Sequence, residues 1–456
     1  MQVEDTALQA DIKRVLESPG ILPRYDFTGT LHTTANDHLV LKVVMIDVLR
    51  DYVNNIGDYT LIEIAIPLGV YIREIYPYRT NLEFTLNRKF IRESSTLQQK
   101  NTNNENERYK AIFLPTNPQP TGGEYDQYGD RELNLVKIVE FKLQLLNRSL
   151  EALRIIEVSG IFKNVSMKDL IYTLMGETVS KVRIDGKQVI DGVDFVEPNN
   201  QIPVKQIILG NGLRLQDLPT HLQERSKGIY NGGIGTYFQP YRNKKYWFIY
   251  PLFDTGRFTK KGRKAIFYSI PSIRYLLLNR TYRDDQDVIY ILVTGEKSYQ
   301  DSAETEYMNS GVGFRMVDAG AVLKKPVELT EQGPVANPSR LNYRVANKSR
   351  TDGLNYVPPS QNEVSGNPFV NYSQVLMREG SKVDLIWHHS NMEIIYPGMP
   401  CQYVYLEKGK IRKTDGVVLF CHHIFQMETK GLQCHSYITS SYITLFVKTL
   451  EKTNGI

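Results

Sequence analysis

A glycine-rich turn followed by a dense aromatic run, in residues 228–254, constrains the fold of this chain more than any other stretch. It reads G-I-Y-N-G-G-I-G-T-Y-F-Q-P-Y and then, from residue 245, K-Y-W-F-I-Y-P-L-F-D. Glycine permits turns in which a β-carbon would clash, and alternating aromatic and β-branched residues favour a strand. The residues expected on one face of that strand are Tyr246, Phe248 and Tyr250, and those on the other are Trp247 and Ile249. The aromatic run holds no evident catalytic acid, base or nucleophile, so it indicates packing and docking rather than turnover.

The segment before this stretch combines a helical pattern with a proline. The residues at helical spacing are Leu213, Leu215, Leu218 and Leu222. Because proline disrupts a helix interior, Pro219 is expected near the helix start. The pattern predicts a short helix that leads into the glycine-rich turn.

Length and composition place the chain among globular proteins. At 456 residues, two to four domains are expected. A hydrophobic fraction of 41% with 23% charged residues argues against wholesale disorder. Tyrosine is the outlier, with 29 residues against 2 tryptophans. Tyrosine suits interfaces because it offers stiff contact area with a polar tip, but it also favours strands, and the composition is compatible with both.

The net charge of +5 is too mild to indicate nucleic-acid binding, because acidic residues are scattered throughout the chain. The sharpest local excess is in residues 257–264, which carry five cations. The pattern is typical of a solvated turn, with a patch for an acidic protein or nucleic acid as the alternative.

The sequence lacks the signals of a membrane or secreted protein. No apolar run approaches the eighteen residues of a membrane span, and the first residues lack a signal-peptide pattern, which predicts a protein kept in the cytoplasm. The three cysteines all follow residue 400 and indicate no disulfide framework.

The first third of the chain predicts an arm and a β unit. Residues 1–25 contain a short amphipathic segment ended by Pro19 and Gly20, expected as an N-terminal arm. Residues 26–150 show period-two apolar faces that predict five or so short strands in a small antiparallel barrel or sandwich. The faces comprise Thr60, Ile62, Ile64 and Ile66; Leu82, Phe84 and Leu86; and Leu133, Leu135, Val139, Phe141, Leu143 and Leu145. Residues 98–107 and 115–130 are expected as polar loops, with a strand at 111–114.

The rest of the chain divides into three predicted parts. Residues 151–255 form an α+β connector, in which Ser166 and Asp169 make a capping box and Gly176 is expected to end the helix. Residues 256–382 hold strands at 265–270 and 288–294 and then a long polar excursion from residue 298. Residues 383–456 are expected as a compact C-terminal antiparallel β module.

Metal binding is the first candidate chemistry. The residues that suggest it are Cys401, Cys421, His422, His423, Cys434 and His435, since sulfur and imidazole suit zinc. If residues 421–423 lie in a strand, Cys421 and His423 face one way and His422 the other, so the three cannot converge. Buried cysteines and strand histidines are favoured over a metal site.

Two further patterns suggest catalysis but fit simpler roles. The glycines of residues 228–235 lack the preceding strand, the spacing and the Lys-Ser/Thr ending of a phosphate loop. Asp284, Asp285 and Asp287 offer paired carboxylates for a glycosidase or two-metal site, but their setting is typical of a solvated turn.

Two stretches carry a family resemblance. The first is the glycine-aromatic stretch of residues 228–239 and 246–253. The second comprises Y-P-G-M-P-C-Q-Y-V-Y from residue 396, G-V-V-L-F-C-H-H-I-F from residue 416, and S-Y-I-T-L-F from residue 441. Together with the opening β unit they resemble the baseplate hub proteins of contractile-tailed bacteriophages. The likeness covers about three fifths of the chain in order and texture and contains no catalytic motif; residues 298–382 lie outside it.

This resemblance implies a homotrimer in which each subunit supplies two tail-tube-like antiparallel β-barrels, joined by the α+β connector and long loops. Three subunits would form a pseudo-six-fold ring between a six-fold tube and a three-fold spike. The implied partners are further copies of the chain, the tail spike, the tail-tube protein, baseplate wedge proteins and the tape-measure protein, without a membrane or specific nucleic acid. The implied location is the virion tail, assembled in the host cytoplasm.

We therefore expect a structural virion protein without catalytic activity, cofactor or metal. The residues expected to serve structure or interfaces are Gly228, Tyr230, Gly235, Tyr237, Trp247, Tyr250, Pro251 and Gly398. The alternatives are another tail-tube, wedge or neck component, a tail-associated cell-wall hydrolase that uses one of the three aspartates, and a DNA-binding protein that uses residues 257–264.

Overall fold

The computed structural model describes residues 2–17, 24–91, 104–118, 137–184, 187–241, 244–270, 280–285, 287–299, 315–317, 343–345, 380–407, 410–427 and 436–448. Strands dominate these residues and helices are few, so the fold is of the β-dominated α+β class that the sequence predicts. No helix within these ranges is long and apolar enough to span a membrane.

The first part of the chain contains one helix and seven strands. They are α1 (Gln2–Leu16), β1 (Arg24–His32), β2 (Asp37–Leu39), β3 (Lys42–Asp51), β4 (Tyr59–Pro67), β5 (Leu82–Ile91), β6 (Asn104–Phe113) and β7 (Ile138–Asn147). Three short helical turns, Leu68–Val70, Tyr71–Ile75 and Tyr76–Tyr78, connect β4 to β5. The buried faces match the period-two pattern, because Ile62, Ile64, Leu82 and Phe84 are all enclosed.

The connector alternates short helices and strands. Its elements are α2 (Arg148–Arg154), β8 (Glu157–Val165), α3 (Met167–Lys181), β9 (Arg183–Ile184), β10 (Lys187–Gln188), β11 (Gly192–Phe195), β12 (Val204–Arg214), a 3₁₀ turn (Leu215–Asp217), α4 (Leu218–Arg225), β13 (Ile234–Tyr241), β14 (Lys244–Pro251) and a second 3₁₀ turn (Thr255–Thr259). The strands form two small sheets, β8 with β12 and β11-β14-β13, and a short β9–β10 pair.

The last part of the chain returns to long strands. They are β15 (Lys264–Ser269), β16 (Tyr282–Asp285), β17 (Val288–Tyr299), β18 (Arg315–Val317), β19 (Tyr343–Val345), β20 (Gly380–His388), β21 (Pro400–Glu407), β22 (Lys410–Met427) and β23 (Tyr437–Lys448). The predicted excursion runs from residue 298 to 382, and its two ends lie in β17 and β20. Between them, β18 and β19 pair with each other, and residues 300–314, 318–342 and 346–379 lie outside the described residues.

One fourteen-stranded sheet joins the two ends of the chain, and its hydrogen bonding closes on itself twice. The first circuit runs β22-β3-β4-β7-β6-β5-β1-β23 and returns to β22; its closing contact between β1 and β23 is the pair Tyr25–Tyr437. The second runs β22-β21-β15-β17-β20-β23 and returns to β22. Closure reduces the unpaired strand edges of both circuits, although the contact between β1 and β23 is a single residue pair.

The second circuit differs from the expected all-antiparallel unit at one strand. β15 pairs in parallel with both β17 and β21. Parallel strands cannot be joined by a tight hairpin, so β15 is connected to neither of these neighbours in that way. The chain enters β15 from β14 through the second 3₁₀ turn, which lies beside β22. All pairings of the first circuit are antiparallel, as expected.

The hairpin partners β22 and β23 belong to both circuits. The first half of β22 pairs with β21, and its second half, from Phe420 to Gln426, pairs with β3. A register shift against β23 lies between Val418 and Phe420, at the changeover. Such an irregularity bends a strand and increases its twist, which lets one strand serve two curved walls.

Each circuit encloses its own apolar core. Tyr25, Phe84, Phe141 and Phe425 belong to the first core. The second core contains Phe267, Ile291, Trp387, Tyr403 and Leu445. Between them lies segment 389–399, which places Met392 in the first core and Ile395 and Met399 in the second. The two cores are therefore adjacent and share this segment as a partition.

The N-terminal helix lies against the second circuit. Val15 is fully buried against Tyr268, Leu292 and Val404, and Asp11 accepts a 3.0 Å hydrogen bond from the Tyr268 hydroxyl. Leu16, the next residue, is 42% exposed. Pro19 and Gly20 lie outside the described residues.

Several predicted element boundaries are wrong. Gly176 does not end α3, which continues to Lys181; the Ser166–Asp169 capping box is present, and the helix is held by buried residues on one face. Leu213 lies in β12 rather than in the helix, paired with Val158 across a bulge. β6 begins at Asn104 inside the expected polar loop, because backbone pairing with β5 does not require apolar side chains. Pro219 does lie at the start of α4.

Candidate functional site at the junction of the two circuits

Strand β14 separates two apolar clusters, as the alternation of its residues predicts. Trp247 and Ile249 are buried in the connector core with α3 and α4. On the opposite face, Phe248 and Tyr250 pack against the shared hairpin through Leu419 and Phe446. A strand buried on both faces fixes the connector to the sheet without a flexible link.

An aromatic cluster fills the space between the connector and the two circuits. Tyr52, from the end of β3, stacks on Tyr237 of β13 with ring centroids 4.0 Å apart and planes 9° from parallel. Tyr250 meets Tyr237 edge to face at 5.7 Å, and Phe253 meets Phe446 of β23 at 5.0 Å. Burial raises the pKa of the Tyr52 and Tyr237 hydroxyls. The cluster therefore joins three parts of the chain through neutral, enclosed rings.

Two of the predicted glycines provide room for Tyr250. A β-carbon at Gly235 would lie 2.3 Å from its ring, and one at Gly398 would lie 2.6 Å away. Gly398 also has φ of +87°, a conformation that other residues rarely adopt. The structure thus brings Gly235, Tyr237, Tyr250 and Gly398 together, although they are up to 163 positions apart in sequence.

Arg257 ties the connector to the loop before β21. Its Nη1 donates to the Gly398 carbonyl at 3.0 Å, and burial lowers the pKa of its guanidinium. The expectation of a solvated turn at 257–264 is therefore wrong for this residue. Lys264 donates to the Phe258 carbonyl and Arg263 pairs with Asp284, so among the five cations only Lys260 and Lys261 are exposed as expected.

A buried arginine holds the partition between the two cores. Arg50 is 3% exposed; its Nη1 donates to the carbonyls of Met392 at 2.6 Å and Ile395 at 3.0 Å, and its Nε to Asp58 at 3.2 Å. Burial, the largest single effect, acts to lower the pKa of Arg50, but the Asp58 carboxylate, Tyr52 and Cys421 together outweigh it and the pKa is raised. The Tyr52 hydroxyl donates to the same carboxylate. This network locks segment 389–399 to the β3–β4 turn and to the aromatic cluster.

A second polar group crosses the partition beside Arg50. His423 is fully buried, its Nδ1 lies 2.6 Å from the Ser441 hydroxyl, and that hydroxyl donates to Ser390 at 2.5 Å. Burial lowers the pKa of His423 well below its usual range, and the positive charges of Arg50 and His422 add to the effect. The imidazole is therefore neutral at physiological pH.

The remaining predicted residues surround the cluster. Tyr230 is fully buried, and its hydroxyl donates to the carbonyls of Val196 and Ile249. Gly228 has φ of +77°, and its carbonyl accepts a 2.9 Å bond from Asn200. Pro251 closes β14 opposite Ile234. All eight predicted residues are buried within the single chain, and their role in contacts between subunits stays a prediction.

The cysteine and histidine positions follow the predicted alternation. Cys421 and His423 face inward and are fully buried, while His422 faces outward and bonds Asp47. Burial raises the pKa of Cys421 to about 12 and raises that of Cys401. Cys434 and His435 lie outside the described residues. In the part of the chain that the structure describes, no three metal-ligating residues converge.

The aspartates that suggested hydrolysis do not occupy a simple turn. Asp284 and Asp285 lie in β16, paired with β17, and only Asp287 lies in a turn. Asp284 bonds Arg263 and Asp285 bonds Arg283, each at 2.8 Å. Each carboxylate thus faces its own arginine rather than the other carboxylate.

Sequence reasoning missed Arg50, Tyr52 and Asp58. The sequence did contain a signal for Arg50, because in this apolar strand it lies on the same inward-facing side as Ile46 and Val48. A charged residue on a buried face usually has a specific partner. The partners themselves, carbonyls more than 340 positions away, leave no local trace.

No protein-family model and no curated protein matches the sequence. Several solved structures are similar in fold at very low sequence identity. The 43 kDa tail protein of prophage MuSo2 from Shewanella oneidensis is 8% identical, with a TM-score of 0.45 over 92% of this chain and 98% of that one. The tail protein from Neisseria meningitidis MC58 is 9% identical, with a TM-score of 0.42 over 92% and 96%.

A third similar structure comes from a bacterial secretion system. The E. coli c3393 protein, a component of the type VI secretion system with structural similarity to the T4 bacteriophage tail proteins gp27 and gp5, is 8% identical, with a TM-score of 0.40 over 91% of this chain and 76% of that one. At these TM-scores, these structures assign this chain no function.

Proposed function

We propose that the protein is the central hub of a phage tail baseplate, a homotrimer that joins a six-fold tail tube to a three-fold spike. The observation that carries the proposal is the double closure of the fourteen-stranded sheet within one chain. Tail and baseplate proteins are also among the similar structures, which agrees with the proposal without carrying it.

Symmetry explains why two circuits in one chain suit this role. Three copies arranged around an axis present six circuits, so the ring has approximate six-fold symmetry where the circuits repeat. The connector occurs once in each chain, so the three connectors of the ring are related by three-fold symmetry only. Closed rings of identical chains require contacts between different surfaces of neighbouring copies.

The junction described above suits such an adaptor because it holds the circuits as one body. The shared hairpin, the aromatic cluster and the Arg50 network all cross between the circuits and the connector. A ring built from subunits with a hinge at this place would lose the match between its two symmetries.

The proposal divides the chain as the sequence suggests: an arm at 1–25, a first tube-like unit at 26–150, a connector at 151–255, and a second unit completed by 383–456 after the strands and excursion of 256–382. It assigns the chain no catalytic activity. Its partners are other copies, a spike, the tube protein, wedge proteins and a tape-measure protein, and its place is the virion tail after assembly in the host cytoplasm.

Mass photometry of the purified chain, alone and with a spike protein, tests the proposal. We expect particles of three times the chain mass, and images of the labelled chain at the centre of the baseplate. A monomer that degrades peptidoglycan would contradict it, as would binding of DNA that weakens steeply with salt. A trimer located in the tail tube, wedge or neck would rule out the hub role, and the protein would still be a tail component.

A further inference from the structure

Exposed isoleucines concentrate on one small sheet of the connector. Among the described side chains, six large apolar ones are more than 60% exposed, and four of these are isoleucines at the β8–β12 sheet. They are Ile155 (82%), Ile161 (63%), Ile202 (75%) and Ile208 (65%). We call β8 and β12 with these residues the isoleucine ribbon.

The ribbon has two faces of different character. Ile161 and Ile208 are direct partners across the two strands and project from the outer face. Phe162 and Ile207 occupy the opposite face and pack on the connector core. Ile155 and Ile202 each precede one of these antiparallel strands by two residues, so they mark the two ends. An exposed apolar face of this kind is typical of an interaction surface.

A second apolar patch lies at the far end of the first circuit. Residues 39–41 run from β1 to β4. The Val40 side chain is buried in the first core. The side chains of Leu39 (74% exposed) and Leu41 (46% exposed) project outward. Ile138 (48%), at the start of β7, lies across β4 from Leu41. We call these three exposed residues the leucine patch.

The two surfaces cannot meet within one chain. β7 begins at Ile138, and its end leads through α2 into β8. A strand of ten residues spans about 33 Å, so the leucine patch lies at the opposite end of β7 from α2, which leads to the isoleucine ribbon. Each is therefore open to another molecule.

The charges around the two surfaces are complementary. At the Val165–Val204 end of the ribbon, Lys163 is exposed on the outer face with Ile161, while Lys205 is exposed on the opposite face. At the leucine patch, the carboxylates of Asp37, which bonds His32, and of Glu140 are exposed, and the nearby lysines Lys42, Lys137 and Lys142 already have partners within the chain. The cationic end of the ribbon therefore complements the acidic side of the leucine patch.

We propose that the isoleucine ribbon of one copy docks on the leucine patch of the next copy. The contact is head to tail, which closes a ring when the rotation between copies permits. The ribbon alone, about 30 Å long and two strands wide, is smaller than the roughly 800 Å² per partner of a stable interface. It therefore acts together with contacts between circuits. This inference rests on the proposed trimer and specifies one of its contacts.

The test measures the concentration at which the trimer dissociates, by mass photometry and sedimentation velocity. We expect Ile161→Thr with Ile208→Thr to raise that concentration at least tenfold, because the apolar contact weakens while the strand-forming β-branch is kept. Leu406→Thr, at an equally exposed leucine of β21, is the matched control and is expected to leave it unchanged. Tryptophan fluorescence and circular dichroism verify that each variant is folded.

Charge exchange supplies the second arm. Lys163→Glu and Glu140→Lys are each expected to weaken the trimer, and the double variant is expected to recover most of the loss. A wild-type trimer that none of these changes weakens would overturn the docking and leave the proposed function standing. A wild-type chain that stays monomeric at micromolar concentration would overturn both. A dimer lost in the ribbon variants would show ribbon-to-ribbon pairing instead.

Discussion

Arg50 shows how much one buried side chain can determine in this molecule. It binds the partition segment through the carbonyls of Met392 and Ile395 and the β3–β4 turn through Asp58, so it joins two parts of the chain that are far apart in sequence. A charge enclosed in this way is stable only while its partners remain, because an unpaired buried charge is costly. Arg50 therefore contributes mainly by fixing one arrangement of the two cores.

Removing the carboxylate is therefore expected to be costly. Asp58→Ala leaves the Arg50 guanidinium with two carbonyls and no counter-charge, and we expect the free energy of unfolding to fall by about 2–4 kcal/mol in urea denaturation, since Asp58 is partly exposed. Glu407→Ala breaks the exposed Arg412–Glu407 pair and should cost less than about 1 kcal/mol. Equal losses in the two variants would refute the assigned role.

The buried imidazole of His423 predicts an acid-side loss of stability. Its folded pKa lies below 6.5, whereas the unfolded chain takes up a proton near pH 6.5. The contribution is complete above that pH and is lost as pH falls below it, with a slope of up to about 1.4 kcal/mol per pH unit.

His423→Gln is expected to reduce that acid slope in urea titrations between pH 7 and pH 5. His422→Gln, at the neighbouring outward position, keeps the buried imidazole and should keep the slope. His221 and His388, whose pKa is also lowered by burial, contribute a remainder in both variants. An unchanged slope in the first variant would show that His423 does not titrate on unfolding.

At the level of elements, some glycines are required by the local backbone conformation and packing, and others are not. Gly398 has a positive φ and lies against the Tyr250 ring, so Gly398→Ala should lower the free energy of unfolding by about 1–3 kcal/mol. Gly176 lies inside α3 with open space around it, so Gly176→Ala should raise it by about 0.5–1 kcal/mol. Thermal denaturation of the two variants measures both shifts, and shifts of the same sign would contradict the structural difference.

The sequence predicted elements whose pattern is local and missed arrangements that depend on distant contacts. The period-two faces of β4 and β5 and the two faces of β14 could be read because alternation is a property of a single strand. The parallel placement of β15 and the Arg50 partners could not, because they arise only when residues hundreds of positions apart meet. The continuation of α3 past Gly176 depended on burial that the local pattern does not reveal.

The same limit applies to the candidate site. Glycines and aromatic residues in the 228–254 stretch were recognised because their local density is unusual, and Gly398 because it follows a proline in a family-like motif. That Gly235 and Gly398 both accommodate one ring could not be read from spacing. Tyr52, which completes the stack, precedes the turn cluster at 54–58 and carries no distinguishing neighbour pattern.

For the whole molecule, the shared hairpin predicts cooperative unfolding. Trp247 lies in the connector core and Trp387 in the core of the second circuit, so the two tryptophans report on separate regions. Because β22 and β23 serve both circuits, we expect Trp247→Phe and Trp387→Phe variants to show fluorescence transitions at the same urea concentration as circular dichroism. Two well-separated transitions would show that the regions unfold independently.

The late position of that hairpin among the strands also affects how the protein folds during synthesis. β22 and β23 are the last strands that the structure describes, and β1, the first of them, closes against β23. Neither circuit can therefore be completed until β22 and β23 have been synthesised. Phe420 follows its partner Asp51 of β3 by 369 positions, and until then the outer edges of β1 and β3 stay unpaired, a state that is prone to aggregation. Expression at low temperature or with holding chaperones should accordingly improve the soluble yield.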